Sequence, residues 1–318
     1  MTLRERARRW PVLTYWLTAT GLDALLVGMA FLLLRRYPNA LVEIASRSGG
    51  ELNTNIAYTL PIAARVNGGL AFLTYMLLHA ATPLIAAFLT ACLLGRDRIR
   101  DLVSRYRFWA PEVGWRSGVR TWALAIGTLV GIKLMIGYLT SATSQPGTWP
   151  GFRWTADPTS LTFWFLFLTS LAFDGGGLME ETGWRGFALP ELLRRRTPAR
   201  AAILLGVLWS FWHVPVNLML TGRLDLVRHY LPFTLFTVLT SIVFTYFYNR
   251  LGGSILIGIA LHGLTNDSSG LAGSIGRDLT DKASLLHSLV ALVPLVLVVV
   301  VLLFMEGERL GAREERAT

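Results

Sequence analysis

The stretch "LTFWFLFLTSLAFDGGGLMEETGWRG", Leu161 to Gly186, carries no charge as far as Phe173 and then places Asp174, Glu180, Glu181 and Arg185 within twelve positions. About twenty predominantly apolar residues are enough for a helix to cross a hydrocarbon core of about 30 Å. A charged side chain at the centre of such a helix costs roughly 2.5 to 3.5 kcal/mol on insertion scales. Read as a membrane segment, the stretch therefore makes its adjacent carboxylates and arginine a functional-site expectation, because buried charge on this scale is retained only where it has a task.

The rest of the chain supports the membrane reading. It has 318 residues, is 53% hydrophobic and has a mean hydropathy of +0.48. Apolar segments fall at roughly 10–34, 69–94, 121–141, 160–184, 201–221, 231–248, 254–268 and 288–305. The expected fold is all-α, a polytopic transmembrane bundle of about eight helices. The seventh segment is short and contains His262, Asn266 and Asp267, which predicts a helix covered by its neighbours. Stretches such as "RYPNA", "SRSGGELNTN" and "NRLGGS" carry the Gly, Pro, Asn and Ser punctuation of loops. The apolar run from Trp10 to Leu34 is too long for the core of a signal peptide and reads as a retained first transmembrane helix. No second, soluble domain is expected.

The net charge of +10 comes almost entirely from Arg in short clusters between the apolar runs. That is the pattern of membrane topology, not of nucleic-acid binding. With both termini cytoplasmic, the inside segments hold 19 Lys and Arg and the outside segments 9, so a multi-pass cell-membrane protein with both ends inside is expected. Cys92 is the single cysteine, which excludes a disulfide framework and a CxxC site.

Three polar groups on three segments fall at one depth. Glu180 precedes Arg194 by 14 residues, His213 follows Arg200 by 13 and His262 follows Arg250 by 12. At a helical rise of about 1.5 Å per residue each lies roughly 18 to 21 Å from the cytoplasmic edge, if helix continues through Pro190. Glu181 and Arg185 are spaced i and i+4, close enough for an ion pair, whereas Glu180 points about 100° away from Glu181. Trp209 and His213, and His262 and Asn266, share the i, i+4 spacing.

"EETGWRG", "WSFWH" and "HGLTN" resemble the three motifs of the CPBP or Abi family: type II CAAX prenyl proteases and bacteriocin-processing relatives, regarded as intramembrane glutamic proteases. The pattern is EExxxR, then an aromatic residue followed four positions later by His, then HxxxN or HxxxD. All three occur in order between Glu180 and Asn266. The resemblance covers about residues 160–305. It divides the chain into N-terminal transmembrane helices without motif (1–159), a protease-like core (160–305) and a cytoplasmic tail (306–318). Trp209 stands where Phe is common, a departure expected to alter packing more than chemistry.

The resemblance implies a hydrolase in which Glu180 activates a water that His213 helps to bind. His262 and Asn266 would donate to the developing oxyanion, and Glu181 with Arg185 would hold the first carboxylate in place. It implies no cofactor and no metal, and the sequence has no HExxH. The implied partner is a peptide or protein substrate, prenylated or membrane-anchored, within a lipid bilayer; no nucleic acid is expected.

Two rival classes are a proton-coupled transporter, since buried Glu, His and Lys also mark proton relays, and a non-catalytic scaffold of the same fold. The first would be favoured by inverted repeats or paired broken helices, which the sequence lacks. The intact Glu, His, His and Asn set argues against the second. Asp23 and Lys133 lie at a depth similar to the glutamates and are expected to pair with each other or to extend the polar site. Asp174 is placed farther out, and the glycines after it are expected to let another helix approach or to loosen their own. His79, His229 and His287 match no motif and are expected to be structural or loop residues.

Overall fold

A computed structural model describes residues 2–48, 54–144, 157–221, 230–266 and 285–312. In chain order the helices begin with α1 (Leu3–Arg9), α2 (Pro11–Arg36), α3 (Ala40–Arg47), α4 (Ile56–Ala63), α5 (Gly69–Leu94), α6 (Arg96–Ser104) and α7 (Trp115–Ser144). The motif-bearing part contains α8 (Leu161–Phe173), α9 (Gly175–Gly183), α10 (Leu189–Leu193), α11 (Pro198–Trp212), α12 (Val214–Thr221), α13 (Leu231–Arg250) and α14 (Ile255–Thr265), followed by α15 (Leu285–Glu306). There is no strand among the described residues.

Among the described residues, six helical stretches are long and apolar enough to cross a membrane: Pro11–Arg36, Gly69–Leu94, Trp115–Leu139, Pro198–Met219, Leu231–Arg250 and Ser288–Arg309. Leu161–Phe173 and Ile255–Thr265 are shorter apolar helices. The chain is an all-α, multi-pass membrane bundle. The eight apolar segments of the sequence correspond to these six and two. Asp267 and His229 lie outside the described residues, as does the side chain of His287.

Three interruptions shape the centre of the bundle. Asp174 has an extended backbone, ends α8 and caps α9 by accepting the Gly177 N–H at 2.7 Å, which is why the fourth apolar segment is two helices. After α9 the backbone widens into a π-turn over Trp184–Ala188, with the Leu189 N–H reaching back to the Trp184 carbonyl. Pro190 cannot give the N–H that an α-turn would direct at Gly186, and the wide turn absorbs the missing bond while helical structure continues to Leu193. At His213 the fifth apolar segment kinks between α11 and α12, two residues before Pro215.

Helices α9 and α14 pack against each other, with α5 and α2 beyond α9 and α11 and α13 beyond α14. Small residues set their spacing. A Cβ on Gly263 of α14 would lie 1.8 Å from the Ser170 carbonyl of α8, and one on Gly177 of α9 would lie 2.7 Å from the Ile259 carbonyl. The first half of the chain also clamps this centre. Gly175 N–H donates to the Thr54 carbonyl at 2.8 Å, the Thr54 hydroxyl bonds Asp174, and Asn55 donates to Thr169 at 2.9 Å. On the other side, Tyr106 bonds Thr182, and the Arg105 carbonyl accepts the Ile255 N–H at 2.9 Å. Burial pushes the Tyr106 phenol above its ordinary range, against the Thr182 hydrogen bond, so at neutral pH it keeps its proton.

Candidate active site

The two adjacent glutamates have different partners because a one-residue step on a helix turns the side chain by about 100°. Glu181 is wholly buried, and its Oε1 accepts from Arg185 Nη1 at 2.7 Å and lies 2.9 Å from His262 Nδ1. The Arg185 guanidinium is held between the rings of Trp209 and Phe244, 4.9 Å from each centroid. This cation–π sandwich supplements a single charged hydrogen bond in a fully buried position. Glu180 keeps 6% exposure. Its Oε2 accepts the Trp209 indole N–H at 2.9 Å, and its Oε1 has no hydrogen-bond partner among the described residues. One carboxylate is spent on the fold, and the other is anchored by one oxygen with the second left open.

The structure brings Glu180, Glu181, Arg185 and His262 into one buried cluster, with Trp209 joining Glu180 to Arg185. Trp209 corrects the expectation drawn from its place in the motif, because its indole N–H makes a hydrogen bond to the candidate base that phenylalanine cannot make. His213 caps α11, with Nδ1 2.9 Å from the Trp209 carbonyl. It makes no hydrogen bond to Glu180; its ring lies 6.1 Å from that of Trp209 and 4.6 Å from that of Trp212. Asn266 caps α14 and donates to Asp174 Oδ1 at 3.3 Å.

Asp174 thus belongs to this network and not to its periphery. It caps α9, receives Asn266, and is tied to Thr54. Its place directly before three glycines is the signal that could have shown this, since Asp is a preferred N-cap. The glycines bring α9 close: a Cβ on Gly176 would sit 3.1 Å from His262 Nε2 and 3.2 Å from Asn266 Nδ2.

Asp23 and Lys133 do not pair with each other. Asp23 Oδ1 lies 2.5 Å from His79 Nδ1, and Lys133 Nζ donates to the Leu264 carbonyl at 2.9 Å, near the end of α14. The reason is rotational: depth along a helix axis can match while the side chains leave on different faces. His79 is accordingly neither a loop residue nor an isolated one. It stacks on Trp212 at 4.6 Å and 12°, stands 6.3 Å from the His213 ring, and lies within electrostatic range of Glu180. Among the described residues, no group of three or more His, Cys, Asp or Glu side chains is arranged to hold a metal ion.

A family profile described as type II CAAX prenyl endopeptidase Rce1-like matches residues 159–267, from just before α8 to the end of α14. A 66-residue stretch is 38% identical to CAAX prenyl protease 2 of Methanococcus maripaludis (strain S2), covering 21% of this chain and 21% of that one. These matches support the CPBP/CAAX protease family. The chain thus shares about a fifth of the length of the curated relative it matches. The family profile encloses every motif residue from Glu180 to Asn266, while Asp23, Thr54 and His79, which reach the same cluster, lie outside it.

Proposed function

We propose that this chain is a membrane-embedded endopeptidase of the CAAX protease type, hydrolysing a peptide bond with a water activated by Glu180. The observation that carries this reading is the asymmetry of the two glutamates. Glu181 is neutralised by Arg185 and His262, while Glu180 keeps one oxygen free of hydrogen bonds among the described residues, within electrostatic range of His262 and His79. A carboxylate in such a place can take a proton from water as general base. His213, whose Nδ1 is bonded to the Trp209 carbonyl, keeps Nε2 available to bind that water. His262 as an imidazolium and the Asn266 amide supply N–H donors for the oxyanion that develops on the scissile carbonyl. Water is activated by carboxylate directly, so activity survives exhaustive chelation.

The substrate in this reading is a membrane-anchored peptide or protein, prenylated C-terminal tails included, and the termini of the enzyme are cytoplasmic. The motif-bearing core over 160–305 supplies the motif residues, and the helices over 1–159 brace it. Membranes from cells expressing the wild-type chain should contain protein termini that are missing when Glu180→Ala is expressed at the same level. Identical sets of termini would overturn the proposal.

A further inference from the structure

His262 and His79 lie within electrostatic range of Glu180, His213 stands 6.3 Å from His79, and each of the three rings is tied by the same nitrogen. Nδ1 of His213 is bonded to the Trp209 carbonyl, Nδ1 of His262 to Glu181, and Nδ1 of His79 to Asp23. None of the three Nε2 atoms has a hydrogen-bond partner among the described residues. The anchors differ in kind. A carbonyl only accepts, so His213 holds its proton on Nδ1 and, when neutral, offers a lone pair at Nε2. Glu181 divides Oε1 between His262 and Arg185. Asp23 is wholly buried, its Oδ1 is bonded to His79, and its Oδ2 has no partner among the described residues.

The ring of His79 is also fixed in plane. Trp212 stacks on it and donates to the Thr82 hydroxyl at 3.1 Å, and Thr82 in turn donates to the His79 carbonyl at 3.0 Å. The His79 side chain keeps 15% exposure, and its Nε2 has no hydrogen-bond partner among the described residues. The groups that face it are Asp23 from α2, Glu180 from α9, His213 from the end of α11, and Tyr75 one turn earlier on α5. Peptide hydrolysis has a second proton requirement, since the departing amine must be protonated as the C–N bond breaks, and a separate acid can meet it while Glu180 still holds the proton taken from water.

We propose that His79, oriented by Asp23, is the acid that protonates the leaving amine, a role that rests on the protease reading above. Water adds to the carbonyl carbon as one of its protons passes to Glu180. The C–N bond then breaks, and the amine nitrogen takes the Nε2 proton of the His79 imidazolium, whose Nδ1–H stays bonded to Asp23. Transfer of the proton from Glu180 to His79 restores both groups, with one water consumed. The catalytic constellation therefore draws on α2 and α5 as well as on the motif helices.

The test compares two probes cleaved at the carbonyl of an S-farnesylcysteine. The first is an internally quenched S-farnesylated CAAX peptide, whose leaving group is an amine. The second is the p-nitrophenyl ester of N-acetyl-S-farnesylcysteine, whose phenolate leaves without a proton. His79→Gln should cut kcat on the peptide by about 10²- to 10⁴-fold and on the ester by less than about tenfold. Asp23→Asn, which leaves the imidazole in place, should show a smaller loss with the same bias toward the peptide. Equal losses on both probes in these variants, or an unchanged peptide rate in His79→Gln, would overturn the assignment. Glu180→Gln should lose both probes alike; if it cleaves the peptide at the wild-type rate, the protease reading itself fails, whatever His79 does.

Discussion

Trp209 donates its indole N–H to Glu180 Oε2 at 2.9 Å while the face of the same ring covers the Arg185 guanidinium at 4.9 Å. One side chain therefore orients the open carboxylate and shields the cation that neutralises its neighbour. The two tasks separate by substitution. Trp209→Phe keeps an aromatic face for Arg185 and removes the N–H. A hydrogen bond to a charged group is worth about 1.5 to 3 kcal/mol of stability, so melting temperature should fall, and kcat of the folded enzyme should fall with it because Glu180 is no longer oriented. Trp209→Leu also removes the cation–π contact, worth about 0.5 to 2 kcal/mol, and should lower melting temperature further. Wild-type turnover in Trp209→Phe would show that the hydrogen bond does not position Glu180.

The glutamates should respond differently to the same conservative change. Glu181→Gln strands a buried guanidinium, and breaking a buried pair costs about 3 to 5 kcal/mol, so thermal stability in detergent and activity should fall together. Glu180→Gln keeps an acceptor for Trp209 and removes a carboxylate that makes no ion pair among the described residues. It should melt near the wild type while losing turnover by about 10²- to 10⁴-fold. If both variants unfold alike, the adjacent carboxylates form a structural cluster and the general-base assignment is lost.

Asp174 should matter to the fold through its cap and its two side-chain partners. Asn is a comparable N-cap, whereas Ala removes the acceptor at a cost of about 0.5 to 2 kcal/mol for the cap. The Asn266 and Thr54 bonds are lost with it. Asp174→Ala should therefore melt well below Asp174→Asn. Equal melting temperatures would mean that the break between α8 and α9 is held by other contacts.

Two glycines in apolar helices make a matched pair for testing close approach. Gly263→Ala would push a methyl to 1.8 Å from the Ser170 carbonyl, whereas a Cβ on Gly127 of α7 meets no atom within 4 Å. The first should strongly reduce the yield of folded protein. The second should be neutral or stabilising by up to about 1 kcal/mol, the helix-propensity gain of Ala over Gly. Folded yield by detergent-resistant size-exclusion profiles reads both, and a well-folded Gly263→Ala would contradict the α8–α14 packing.

The charge asymmetry makes a topological prediction. Reporter fusions after residues 116, 150, 196, 226 and 318 should read inside, outside, inside, outside, inside, as expected from the 19 to 9 division of Lys and Arg. An external C-terminus would reverse the orientation.

Much of this architecture could be read locally. Hydropathy located the apolar helices because crossing a membrane is a matter of length and composition. The i, i+4 spacing of Glu181 and Arg185 anticipated their ion pair because a single turn of helix brings such residues together whatever surrounds them. The same periodicity separated Glu180 from Glu181 and made their inequivalence visible in the primary structure.

Contacts between helices were decided elsewhere. Glu180 and Trp209 are 29 residues apart, Asp23 and His79 are 56, and Lys133 and Leu264 are 131. Equal depth allows Asp23 to meet Lys133, yet each turns to a different neighbour. Depth is one coordinate, set by counting along the chain. Which side chains touch depends also on how far each helix is rotated and how closely it approaches, and these are fixed by small residues such as Gly177 and Gly263, by the break at Asp174 and by the π-turn at Trp184. Chain order and composition determined that buried carboxylates, imidazoles and an arginine would share a membrane bundle; only the packing of α2, α5, α9, α11 and α14 decided which carboxylate was neutralised and which was left with a free oxygen.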